Sequence, residues 1–252
     1  MTTSVRGGRA PGQSMSEQVA RALEAQILRG EIEPGERLPT EDGLCEQFGV
    51  SRSVIRDALR TLQARGLISV RHGFGIIAAE PSGDQLAEAT ALLLARSGHT
   101  VEDVLRARAV LETELGCAAT RSATDDDVAE ATAAFEAYRD WTDAGEWKAL
   151  NAAHLEFHSA LVRALHVPVL DVLLHPLLDL VHVTTMAPPE VAKAREIALH
   201  EAILDALSAR DEAAMRAAMN AHFEAPLTAG DAYGAWRAMP LTDAVLAARE
   251  SA

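Results

Sequence analysis

The stretch FGVSRSVIRDALRTLQARGLI, residues 48–68, decides the fold of the first part of the chain. A short helix predicted over about 41–48 ends at Gly49, and Ser51 is placed to cap a second helix that runs to about Arg65. Two helices joined by so short a turn are typical of a helix-turn-helix.

The segments on either side complete a winged helix-turn-helix. Upstream, the apolar spacing of Val19, Leu23 and Ile27 predicts an amphipathic helix that ends at Gly30. Downstream, the run LISVRHGFGIIAA at 67–79 contains two short β-prone segments around a tight basic turn, which predicts a hairpin that forms the wing. We expect a flexible tail over 1–15, this domain over 16–79 and a linker over 80–84.

From Asp84 to about Glu224 the pattern is helical throughout. Seven helices are predicted, over roughly 84–97, 100–122, 124–143, 145–166, 168–186, 189–209 and 211–224. Helices of these lengths with short connections are typical of an antiparallel bundle. The predicted fold class is therefore mainly α, with a helical domain over 85–226 and a C-terminal tail over 227–252 that contains one further helix at 241–250.

The composition indicates a soluble protein. The chain has 252 residues, of which 48% are hydrophobic, and no apolar run reaches the roughly 20 residues that span a bilayer. The first residues carry no apolar segment of a signal peptide, so a cytoplasmic location is expected. Cys45 and Cys117 lie inside apolar helical patterns and are predicted to be buried free thiols.

The net charge of −14 is unevenly distributed. Residues 1–80 hold ten arginines and ten acidic residues, so the whole acidic excess lies in 81–252. Within 51–72, by contrast, there are five arginines and one acid, Asp57. A basic stripe on an acidic protein favours docking on phosphate at one defined surface.

The N-terminal domain resembles the GntR family of bacterial transcription regulators. Three stretches carry the resemblance: ILRGEIEPGERLPTE at 27–41, the quoted run at 48–68, and the wing turn RHGFG at 71–75. The resemblance implies a dimer that binds a short, roughly palindromic DNA operator, with the helix after Ser51 in the major groove. It assigns base and phosphate contacts to Ser51, Arg52, Ser53 and Arg56, and minor-groove contacts to His72 and Gly73.

The residues favour the same surface without the family. Arg52 and Arg56 lie on one face at the start of the second helix, and arginine can present two donors to guanine or contact phosphate. The alternative is a solvated arginine face with no ligand. One position departs from the family, because Asp42 stands where its members commonly carry an arginine, and an aspartate repels phosphate.

Residues 154–158 read HLEFH, which invites comparison with a zinc protease. Such a protease needs its glutamate directly after the first histidine, where the carboxylate reaches a metal-bound water. Glu156 instead lies two positions after His154, roughly 200° around the helix. We therefore predict that the protein is not an enzyme, and a metal-dependent hydrolase is the disfavoured alternative.

The helical domain resembles the ligand-sensing FCD domain of the FadR-like branch of the GntR family. The match rests on RAVLE at 108–112, HLEFH at 154–158, and LHEAILDAL and MNAHF at 199–207 and 219–223. In the metal-binding members, an Asp and a His four apart on one helix join two later histidines. His154 stands at the aspartate's position, so the implied metal set is His154, His158, His200 and His222, which suits Zn²⁺ or Ni²⁺.

Each of these side chains also fits a simpler account. Every histidine of the set lies on an apolar helix face, where a lone histidine is usually a core residue, so a metal-free ligand pocket stays open. Arg108 lies one turn before Glu112 and could form an ordinary surface ion pair. The resemblance instead implies that Arg108 holds the carboxylate of a small organic acid effector. The sequence thus predicts a homodimeric, metabolite-responsive transcription regulator.

Overall fold

The computed structural model describes residues 14–71, 74–144, 147–180, 190–228 and 231–250. The chain divides into two compact units, Met1–Gln85 and Leu86–Ala252. Within the described ranges, no helix is both long and apolar enough to cross a membrane.

The first unit is the predicted winged helix. Its elements in chain order are α1 (Met15–Leu28), α2 (Glu41–Phe48), α3 (Arg52–Ala64), β1 (Ile68–Arg71) and β2 (Gly75–Ala78). The two strands pair antiparallel, with Val70 opposite Ile76. Leu23, Leu44 and Ile55 are buried in one core, and burial of such a side chain contributes about 1.5–3 kcal/mol.

Local signals fix where α2 and α3 begin and end. The Thr40 hydroxyl accepts a hydrogen bond from the Gly43 amide at 3.2 Å, which caps α2 at its start. Gly49 ends the helix with a φ of 67°, a left-handed conformation that glycine adopts without steric cost. The predicted Ser51 cap is wrong in its chemistry: Ser51 occupies the N-cap position, but its hydroxyl lies 2.9 Å from the Ser53 hydroxyl instead of capping α3.

The secondary-structure elements described in the second unit are all helices, joined by turns and short connections. After α4 (Asp84–Arg96) come α5 (Val101–Ser122), α6 (Asp125–Ala144), α7 (Trp147–Arg163), α8 (Pro168–Asp179), α9 (Glu190–Ser208), α10 (Glu212–Thr228), α11 (Asp231–Arg237) and α12 (Leu241–Glu250). The mainly α fold class is confirmed. The sequence prediction carried α8 to residue 186, whereas the helix ends at Asp179, and the predicted part from 181 onward lies outside the described residues. It also ended α10 at 224 instead of Thr228 and did not predict α11.

Two hydrophobic clusters stabilise the second unit. Helices α5, α6, α7, α9 and α10 share one core, and Gly116 lets α10 approach α5 closely, because a Cβ there would lie 3.2 Å from the Met215 sulfur. The segment predicted as a C-terminal tail contributes to a second cluster, in which Leu241 is fully buried and its amide donates to the His99 carbonyl at 2.8 Å. Cys117 is buried and free, whereas Cys45 is only half-buried.

Candidate metal centre and DNA-contacting surface

Three helices bring the four predicted histidines together in the second unit. α7 supplies His154 and His158, which lie one turn apart on its buried face, while α9 supplies His200 and α10 supplies His222. All four are at most 7% exposed, and one ring nitrogen of each lies within 4.8 Å of the others. We call these residues the histidine cluster.

Two short contacts constrain where the protons of the ring nitrogens lie. Nδ1 of His200 lies 2.7 Å from the Glu196 carbonyl, so this nitrogen carries the proton and donates. Its Nε2 is then a buried lone pair with no partner among the described residues. Nε2 of His154 and Nε2 of His158 lie only 3.1 Å apart, where two lone pairs would repel unless a proton or a cation lies between them.

Three of the four histidines, His154, His200 and His222, are uncharged at neutral pH. Burial lowers the pKa of His154 and of His222 well below the usual value, and the neighbouring histidines lower both further. Burial and His158 likewise lower the pKa of His200 to about 3. Neutral imidazole is the form that binds a metal ion.

A buried ion pair on α5 borders the cluster. Nε of Arg108 donates to Oε1 of Glu112 at 2.6 Å, and Oε2 of Glu112 lies 2.6 Å from Nδ1 of His158, although not aligned for a hydrogen bond. Burial alone would raise the pKa of Glu112, but the positive charge of Arg108, together with the contact to His158, outweighs burial and lowers that pKa to about 2. The Arg108 side chain is 2% exposed, so the surface ion pair considered from the sequence is wrong.

Arg108 retains binding capacity after this pairing. Its Nη2 has no hydrogen-bond partner among the described residues, and the guanidinium carbon lies 5.5 Å from the ring centroid of Phe223. A buried guanidinium with an unused N–H group is matched by an anion that brings its own acceptor oxygens.

Glu156 lies outside this site, as its position in the helix predicts. Its side chain is 55% exposed and accepts a hydrogen bond from Nη2 of Arg163 at 2.5 Å. No carboxylate from this position can therefore act as a base beside the cluster.

Sequence reasoning missed other buried polar groups of the second unit. The Tyr138 ring lies 4.5 Å from the His200 ring and 5.3 Å from the His154 ring, measured between centroids. Oδ1 of Asn151 and Oγ1 of Thr113 are buried without a hydrogen-bond partner among the described residues. For Asn151 a signal existed, since it lies three residues before His154 and so shares its helix face.

In the first unit, the predicted DNA-contacting residues lie at the start of α3. Ser51, Arg52, Ser53 and Arg56 are all exposed. Nη2 of Arg52 lies 2.6 Å from Asp42, and Nε of Arg56 lies 2.9 Å from Glu41, so both arginines are paired with acids from the first turn of α2. We call Arg52 and Arg56 the arginine face. The predicted wing contacts, His72 and Gly73, lie outside the described residues.

Two known families match the chain, one in each of its two units. Residues 15–77 match the family described as bacterial regulatory proteins, gntR family, and residues 103–225 match the FCD domain. The histidine cluster lies within the second match and the arginine face within the first. The matched proteins are transcription regulators and not enzymes, as the sequence predicts.

Individual relatives agree with these matches. An uncharacterized HTH-type transcriptional regulator of Mycobacterium tuberculosis is 33% identical over 61% of this chain and 64% of its own length, which is less than two thirds of that relative. The galactonate operon transcriptional repressor of Escherichia coli is 26% identical over 81% of this chain and 92% of the repressor. A solved GntR structure from Streptococcus agalactiae is 28% identical, with a TM-score of 0.62, covering 83% of this chain and 97% of that one. The chain therefore belongs to the GntR family of bacterial regulatory proteins and carries an FCD domain.

Proposed function

We propose that this protein is a homodimeric transcription regulator that senses a small organic acid at a metal ion held by the histidine cluster. The ion, Zn²⁺ or Ni²⁺, is bound by His154, His158, His200 and His222. Arg108 binds the carboxylate of the effector. The arginine face and the wing bind a short palindromic operator.

One observation carries the metal proposal: four buried imidazoles from three helices present nitrogens within 4.8 Å of one another, and Nε2 of His200 has no partner among the described residues. A buried lone pair without a donor costs about 1–3 kcal/mol. A divalent ion would satisfy all four nitrogens at once, and imidazole is a ligand that zinc and nickel accept. Glu112 beside His158 matches the outer carboxylate that commonly orients a metal-bound histidine.

A metal-free pocket is the second candidate, and one contact favours it. The 3.1 Å approach of His154 and His158 is also the length of a hydrogen bond in which one ring donates to the other. This arrangement satisfies only the two Nε2 atoms, since Nδ1 of both rings has no hydrogen-bond partner among the described residues. It also leaves Nε2 of His200 without a donor, so a ligand would have to supply one.

Native mass spectrometry distinguishes the two candidates. The protein should be purified without chelators and without a metal-binding tag, and we expect about one zinc- or nickel-sized mass per subunit. His200→Ala should lose this mass, whereas His99→Ala, which removes an exposed histidine elsewhere in the unit, should retain it. Wild-type protein without metal under these conditions would establish the metal-free pocket instead.

Charge supports an acidic effector. Four neutral imidazoles leave the full charge of a divalent ion uncompensated, and the Arg108–Glu112 pair adds no net charge. The unused Nη2 of Arg108 adds a donor suited to a carboxylate. Galactonate, in the name of one relative, is a carboxylate of this kind. Calorimetric titration with a panel of hydroxy and sugar acids tests the proposal, and loss of binding in Arg108→Gln is the expected result.

The DNA proposal rests on the first unit. α3 begins with two exposed arginines on one face, in an otherwise acidic protein. Selection from a random DNA library should enrich a palindromic sequence with the wild-type protein and lose that enrichment with Arg56→Ala. Equal enrichment by both proteins would exclude Arg56 from the interface.

The homodimer proposal is supported by an apolar stripe on α8. Val169, Val172 and Leu173 are between 54% and 64% exposed, although they lie next to one another on the helix. A second copy that covers this stripe would remove it from water. The same native mass spectra give the subunit count.

A further inference from the structure

We propose that Asp42 is a specificity-determining residue for DNA, because it holds Arg52 in a fixed position for reading one base pair. This inference rests on the proposed DNA-binding function of the arginine face. It starts from the 2.6 Å ion pair between Asp42 and Nη2 of Arg52, which joins the first turn of α2 to the first turn of α3.

The pair has a chemical reason to form at this place. α3 has no acidic residue in its own first turn, although the amino end of a helix carries partial positive charge and repels arginine. Asp42 and Glu41 supply the missing carboxylates from the neighbouring helix. The Asp42 and Arg52 side chains remain 62% and 64% exposed, so the pair forms at the surface that would meet DNA.

Pairing changes what Arg52 can do. Arginine carries five N–H donors in a rigid plane, so one carboxylate at Nη2 leaves donors for a base and restricts the rotation of the guanidinium. A fixed guanidinium suits bidentate contact with O6 and N7 of guanine. Its charge is also compensated by Asp42, which weakens the attraction to phosphate that would act on any sequence.

Asp42 therefore lowers the affinity for DNA in general and raises the discrimination at one base pair. Removing the Asp42 carboxylate frees Arg52 to contact phosphate and raises binding to all DNA. It also loosens the guanidinium and lowers discrimination at one base pair of each half-site.

Selection from a random DNA library, followed by affinity measurements on the winning sequence and on its single-base variants, tests this with wild type, Asp42→Ala, Arg52→Ala and Glu46→Ala. Glu46 is an exposed acid on the same helix, so Glu46→Ala removes the same charge and controls for general electrostatics. Thermal melting checks that each variant folds.

For Asp42→Ala we expect about fivefold less discrimination at one base pair, the lower end for a bidentate arginine contact, together with tighter binding to unrelated DNA. The salt dependence should steepen by about one phosphate contact. Glu46→Ala should keep the wild-type base preference. If Asp42→Ala kept the wild-type base preference while Arg52→Ala lost it, Arg52 would read the base pair without help from Asp42, and the role of Asp42 would be overturned. Failure of the wild type to enrich any sequence would overturn the DNA-binding proposal and this inference with it.

Discussion

The histidine cluster and the arginine face differ most in their exposure to solvent. The cluster is at most 7% exposed, whereas the side chains of Arg52 and Asp42 are more than 60% exposed. A buried group cannot turn to water when it loses its partner, and the loss costs several kcal/mol. An exposed ion pair contributes about 1 kcal/mol or less. The cluster should therefore govern stability, and the arginine face should govern which DNA is bound.

Metal removal should produce the largest effect and tests the buried half of this comparison. At free metal about 1,000-fold above its dissociation constant, binding stabilises the folded state by about 4 kcal/mol. Chelation should therefore lower the midpoint of thermal unfolding of the wild-type protein by several degrees. His200→Ala should already melt at the lower temperature and should not respond to the chelator. Identical midpoints for the wild type with and without chelator would show that no bound metal stabilises the folded state.

The chelated protein should also be sensitive to mild acid. The pKa of His154, His200 and His222 is lowered on folding, so below pH 6.5 the unfolded chain binds protons that the folded chain does not. The free energy of unfolding should then fall by about 1.4 kcal/mol per pH unit for each such histidine. The lowered pKa of Glu112 also stabilises the folded state, and this contribution is lost at lower pH, as the pH falls from 4.5 to about 2.

Urea unfolding of the chelated wild type at pH 7.5 and at pH 5.5 measures this slope. His99→Ala serves as the control, since it removes an exposed imidazole whose Nδ1 lies 3.7 Å from the exposed carboxylate of Asp103. A free energy of unfolding that stays constant between these pH values would show that the cluster admits protons, and hence water, in the folded state.

The elements of both regions could be predicted from sequence because their signals are local. Gly49 ends α2, Thr100 and Asp103 form the capping box of α5, and the two histidines of HLEFH share a helix face at four-residue spacing. Convergence of His154 with histidines about 45 and 70 residues later could not follow from spacing alone. That part came from the family resemblance.

The environment of Arg108 shows most clearly what could not be predicted from the sequence. Arginine four residues before glutamate looks the same in sequence whether the helix face is wet or buried. Only the packing of α5 against α7 places Glu112 beside His158 and turns an ordinary ion pair into part of the site. The pairing of Asp42 with Arg52 escaped prediction for a related reason, because it joins two helices through a turn.

Replacing Glu112 with glutamine should weaken metal binding by about 10- to 100-fold, the usual effect of losing the outer partner of a metal-bound histidine. The amide keeps the shape of the carboxylate but loses the charge that faces both Arg108 and Nδ1 of His158. Competition with a chromophoric chelator measures the affinity. Glu114→Gln, two residues away on the exposed side of α5, should bind metal as the wild type does. Similar affinities for both variants would mean that Glu112 supports only the fold.

The smallest expected effect concerns the exposed ion pair between Glu41 and Arg56. Both carboxylate oxygens of Glu41 lie near Nε of Arg56, at 2.9 and 3.2 Å, in a pair open to solvent. A double-mutant cycle with Glu41→Gln and Arg56→Gln should give a coupling energy of about 0.2–1 kcal/mol in low salt. In 1 M salt the coupling should disappear, since the screening length falls to about 3 Å. A coupling that exceeded 2 kcal/mol and persisted in salt would place this pair with the buried groups, and the separation of stability from DNA selectivity would no longer hold.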